Sequence, residues 1–96
     1  MDEEIIIALA NRKIITFTYH GFSRICEPHI LGVTNGNRQL LCYQTDGSSK
    51  RGGIPEWRRF DLSEIKDFET TEEIFDGKRQ VPHPFSIWDS VIAVVS

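Results

Sequence analysis

Cysteine is scarce in this chain: only Cys26 and Cys42 occur in 96 residues. Neither forms a CxxC pair and no histidine lies at finger spacing from them, so the sequence encodes no zinc site. Both sit in apolar stretches and read as small buried hydrophobes of a reducing compartment. Long apolar runs are absent too. None approaches the roughly 20 residues that span a bilayer, and the Asp-Glu-Glu start is unlike a signal peptide. The expected location is the cytoplasm, without a membrane partner. Nor is there an excess of basic charge. The formal net charge is −3, which argues against a surface coated for bulk nucleic-acid binding but leaves room for a local basic patch. The basic loop "SSKRGG" (48–53) lacks the GKS or GKT ending of a P-loop, so nucleotide hydrolysis is unsupported. The acids show no paired-carboxylate or metal-ligand spacing. His20 and His29 could approach across a hairpin, but no motif sets a Ser or Cys beside them. The chain is read as non-enzymatic, with no catalytic residue, cofactor or metal.

What is present suits one globular domain spanning 1–96, with 40% apolar and 26% charged residues. "DEEIIIALANRK" opens with acids and closes with bases, which favours a helix over about 3–12 with Asp2 as N-cap. "IITFTYH" alternates Ile15, Phe17 and Tyr19 against Thr16 and Thr18, a strand pattern. "RICEPHILGVT" follows as a second strand, and Pro28 makes it an edge, or bent or bulged there. "NGN" at 35–37 is the clearest hairpin turn. "RQLLCYQT" and "EWRRFDL" read as further strands, "SEI" as a helical turn and "KDFET" as a fifth strand, giving a barrel over about 13–70. In the C-terminal element, about 86–95, Ser86 and Asp89 resemble a capping box, and Trp88, Ile92 and Val95 fall at helical spacing. A helix is preferred there over a strand. Helix, short strands with tight turns and a closing element together give a mainly β (α+β) class: a small, bent antiparallel barrel.

Functional residues are sought where basic and aromatic side chains interleave. Arginine suits phosphate because its planar fork bonds in bidentate fashion and stays charged. Arg24, Arg38, Arg58, Arg59, Lys50 and Arg51 are the basic candidates, and Tyr19, Tyr43 and Trp57 the stacking surfaces. Strand alternation separates the adjacent arginines of "PEWRRFDLSEI". Arg58 shares a face with Phe60 and Leu62, whereas Arg59 joins Trp57 and Asp61. Arg58 therefore needs a partner at the barrel mouth, either an internal carboxylate or an anionic ligand.

The sequence resembles the WYL domain family. The resemblance rests on "ALANRKIITFTYHG", "RICEPHILG" and "WRRFDLSEI", through Ala8, Ile15, Tyr19, Arg24, Pro28, Leu31, Gly32, Leu40, Arg58, Phe60, Leu62 and Ile65. It implies an SH3-like or Sm-like barrel from bacterial transcription regulators, sensing a ligand such as single-stranded nucleic acid. The chain departs from the family pattern in two places. The family's naming tripeptide falls on Arg38, Gln39 and Leu40, and Glu64 stands where a second cation is common. No helix-turn-helix module fits beside the barrel in this length. The expectation is a regulatory module that binds nucleic acid or a nucleotide-like anion, standing alone or with a regulator partner chain. The alternative is an interaction or homo-oligomerisation barrel docking through its apolar C-terminal element.

Overall fold

The structure is a computed structural model that describes residues 1–47 and 56–96. Helix α1 (Asp2–Asn11) precedes five strands in a continuous path: β1 (Lys13–Tyr19), β2 (Phe22–Thr34), β3 (Asn37–Gly47), β4 (Glu56–Asp61) and β5 (Ile65–Ile74). A short 3-10 turn, Leu62–Glu64, separates β4 from β5 where "SEI" predicts one. A sixth strand, β6 (Ser90–Val94), closes the order. All pairings are antiparallel, and the sheet runs β4-β3-β2-β1-β5 with β6 also on β2. The mainly β class with an N-terminal helix is thus as the sequence predicts. No helix among the described residues is long and apolar enough to cross a membrane.

Local chemistry accounts for the turns. Asn35 and Gly36 have φ of 51° and 78° and join β2 to β3 as a two-residue hairpin. Asparagine tolerates the left-handed region and glycine enters it freely. His20 and Gly21 do the same between β1 and β2, at φ 51° and 80°. Asp2 is not the N-cap. Met1 holds that position, and the Asp2 carboxylate instead accepts from Arg38 at 2.8 Å. Arg12 ends the helix in a left-handed conformation, and Ile5, Ala8 and Leu9 form its buried face.

β2 organises the sheet. It is not an edge: it pairs with β3 along one side and, on the other, with β1 at its start and β6 at its end. Pro28 is accommodated by a bulge, with Pro28 opposite Cys42 and Ile30 opposite Leu41. The sheet curls until β1 meets β4. The rings of Phe17 and Phe60 lie edge to face at 4.9 Å, and the Tyr19 hydroxyl accepts from the Asp61 backbone N–H. Ile5, Leu9, Ile15, Leu31, Leu40 and Phe60 fill the interior beneath α1, each no more than 1% exposed. Burying each such side chain contributes about 1.5–3 kcal/mol. Cys26 and Cys42 are buried free thiols, and burial pushes the Cys42 thiol well up.

The C-terminal element corrects the helical expectation. Residues His83–Ser86 form a 3-10 turn, and Ser90–Val94 form β6. Two physical reasons decide this. β1 pairs with β2 only as far as Cys26, which leaves the edge at Ile30–Val33 for a β-branched segment to occupy. The Asp89 carboxylate accepts from the Asn35 backbone N–H at 2.7 Å rather than capping a helix.

Candidate functional site

The concave face of the curled sheet ends in a pocket of about 250 Å³ lined by Tyr19, His20, Phe22, Arg24, Arg58, Arg59 and Phe60. Its residues come from the β1–β2 hairpin and from β4, which the curl brings together. Arg24 stands opposite Phe17 in the ladder, so it points to the same face as the core aromatics. It is 4% exposed. One terminal nitrogen donates to Gln44 Oε1 at 3.3 Å and the other to the Tyr19 carbonyl at 3.1 Å. Its Nε is buried and makes no hydrogen bond. The rings of Tyr19, Phe22 and Phe60 surround the guanidinium at 5.6–5.8 Å, within cation–π range. Burial, and next the charge of Arg58, pull the Arg24 pKa down. The guanidinium nonetheless keeps its charge at neutral pH, since its delocalised cation is not deprotonated in proteins.

Arg58 lies on this face, as strand alternation predicts. It is opposite Cys42, with a side chain 13% exposed. It has an internal carboxylate, Glu56, two residues earlier on β4. Two guanidiniums therefore converge on one pocket, Arg58 ion-paired to Glu56 and Arg24 held by the neutral oxygens of Gln44 and Tyr19. Tyr19 lines the same pocket. Burial raises its pKa, so its hydroxyl is a neutral donor and acceptor at pH 7. His20 stacks on Tyr19 at 4.2 Å and its Nε2 lies 2.7 Å from Glu64 Oε1. Glu64, the anion in place of an expected cation, is thus paired at the pocket's rim.

Of the other sequence candidates, Arg59 also lines this pocket, whereas Tyr43 and Trp57 lie elsewhere. Tyr43 and Trp57 are cross-strand partners on the convex face, in a row with Glu27. Arg79 covers Tyr43 at 4.1 Å and bonds both Glu27 oxygens, at 2.7 and 3.2 Å. That bond raises the Arg79 pKa. His29 packs edge to face on Trp57 and stacks on Phe75. Its Nε2 accepts from the Arg79 backbone N–H, so Nδ1 carries the proton and donates to the Glu27 carbonyl. His29 and His20 therefore do not meet, because the hairpin register places one at the turn and the other beyond Cys26. Arg59 is a structural clamp. It donates to Thr34, Gln39 and the carbonyls of Phe85 and Ile87, with Trp88 over its guanidinium at 3.8 Å. Lys50 and Arg51 fall outside the described residues.

The sequence reading of the pocket did not include Phe22, Gln44 or Glu56. Phe22 falls inside a segment read as a turn. Glu56 lies two residues before Arg58, so strand alternation reaches it, whereas Gln44 is on β3 and joins that face only through its pairing with Glu56. Arg79 and Glu27 carry no local signal, since 52 residues separate them in the chain. Among the described residues no cluster of His, Cys, Asp or Glu could hold a metal ion. No family model, curated protein or solved structure matches the chain.

Proposed function

We propose that the protein is a non-enzymatic sensing module that binds single-stranded nucleic acid or a nucleotide-like anion in the Arg24–Arg58 pocket. The observation that carries this reading is Arg24, a buried guanidinium whose Nε is aimed at no hydrogen-bond acceptor. A buried donor left without an acceptor costs about 1–3 kcal/mol, more when charged. An anion entering the pocket offsets that cost and relieves the repulsion between the two arginines. Tyr19 and Phe22 give it aromatic walls against which a base can stack, each stacked base worth roughly 1–3 kcal/mol. A volume near 250 Å³ is just below the usual range for small-molecule sites, so it suits one phosphate and its neighbouring ring. The resemblance to WYL domains points to the same arginines and to a regulatory role in bacteria.

Fluorescence anisotropy with a labelled single-stranded oligonucleotide, across a salt series, tests the reading. Binding should weaken with salt, and Arg58→Ala should lower both the affinity and the log–log salt slope, the latter by about 0.7 for each phosphate no longer neutralised. Arg24→Gln should remove binding while leaving the far-ultraviolet spectrum unchanged. Absence of binding at low salt, or equal binding by Arg58→Ala, refutes the proposal.

A further inference from the structure

Three strands have a side that carries no ladder among the described residues: β4, β5 and β6. Sheet edges left open are normally guarded by charge, because an unguarded edge recruits another chain. β4 carries Glu56, Arg58, Arg59 and Asp61, and β5 carries Lys66, Asp67, Glu69, Glu72 and Glu73. β6, "SVIAV", carries no charge at all. It also exposes its apolar side chains. Val91 is 52% accessible, Ile92 42% and Val94 53%, and Ile87 just before it is 60%. Of the eight large hydrophobics left exposed among the described residues, seven belong to this segment or to α1 and its cap, and α1 packs directly on β6. The Ser96 N–H reaches the Leu9 carbonyl between them.

We propose that this strip is a homodimer interface, with β6 of one copy set against β6 of a second. Three features select a second copy as the occupant. A charge-free strand meets its own two-fold mate with no like charges opposed, although each copy carries a net −3. The neighbouring helix is self-complementary under the same operation. Its first turn holds Glu3 and Glu4 beside the Arg38-paired Asp2, and Arg12 follows its last, so reversing the helix end for end sets acids toward a base. The apolar area is of the right order as well. Four half-exposed side chains on and just before β6 and two more, Ile6 and Ile7, on α1 offer on the order of 500 Å² per copy, over half of the roughly 800 Å² per partner of a specific interface. None of the strip's exposed apolar side chains lines the Arg24–Arg58 pocket, so a dimer would present two anion sites on one particle.

Sedimentation velocity on the full chain, up to about 0.5 mM, tests the proposal at concentrations where even weak interfaces of this size associate. The wild type should sediment at twice the 11.0 kDa chain mass. Ile92→Lys with Val94→Lys, both at solvent-exposed positions, should sediment as a monomer with unchanged circular dichroism. Ile74→Lys, at an equally exposed position on β5, 60% accessible, should remain a dimer. A wild-type monomer across the whole range overturns the proposal. So does a dimer that survives the double substitution, or one that Ile74→Lys dissolves equally.

Discussion

Gly32 offers a sharp test of how the C-terminal segment is held. It lies on β2 opposite Val91, with no strain in its backbone. A Cβ added there would stand 2.6 Å from Trp88 Cε3 and 2.7 Å from the Ser90 carbonyl oxygen. The ring could swing away, but the carbonyl belongs to the β6 backbone, so the strand itself must shift. Gly32→Ala should therefore carry an overpacking penalty of about 1–3 kcal/mol. Against it stands the lower unfolded-state entropy of alanine, worth about 0.4–1 kcal/mol. The net expectation is a loss of roughly 1–2 kcal/mol, or a Tm lower by about 5–10 °C for a domain this small. Urea unfolding followed by circular dichroism measures it, and the emission of Trp88 reports the displaced segment. Gly32→Ala at or above wild-type stability would refute the close approach of β6 and Trp88 to β2.

Two further outcomes follow from one buried and one half-buried polar side chain, His29 and Arg59. Burial, helped by the charges of Arg79 and Lys78, lowers the His29 pKa, while the bond to Glu27 opposes this. The unfolded imidazole titrates near 6.5, so below that pH the unfolded chain takes up the proton first. Stability should fall as pH drops from about 6.5 toward the lowered native value and level off below it. His29→Gln should flatten this part of the profile in urea titrations at pH 7.5 and 5.5, and an unchanged difference between those pH values would exclude His29 as its source. Arg59→Ala removes the donor to the Phe85 and Ile87 carbonyls and the partner of Trp88, and should cost about 2–3 kcal/mol. Arg59→Lys should recover little of it, since an ammonium lacks the planar fork that reaches both carbonyls. Full rescue by lysine in thermal melts would contradict the clamp.

Much of the fold is legible from short-range chemistry. Asn35-Gly36 encodes its hairpin because it supplies two consecutive left-handed residues. The alternation of Ile15, Phe17 and Tyr19 sets the inner face of β1, and the same period separates Arg58 from Arg59. The C-terminal segment shows where this logic stops. Its helical spacing and its β-branched content conflict locally, and the open stretch of β2 edge settles the matter from about 60 residues away in the chain. Pro28 behaves likewise. The sequence demands an irregularity there, but only the pairing with β3 makes it a bulge inside a central strand.

The candidate site divides along the same line. That Arg58 turns inward and needs a partner follows from strand period and the cost of burying charge, both of which are local. That Arg24 joins it, caged by Tyr19, Phe22 and Phe60, depends on the sheet curling until the first hairpin meets β4. The same curl sends Tyr43 and Trp57 to the convex face and leaves them to Arg79 and His29. In "PEWRRFDLSEI" the sequence alone therefore determines that the two arginines part. Tertiary structure decides their work, because partners 20 or more residues distant reach them only through curvature: Arg59 fastens the C-terminal segment, and Arg58 faces a second buried guanidinium across a pocket.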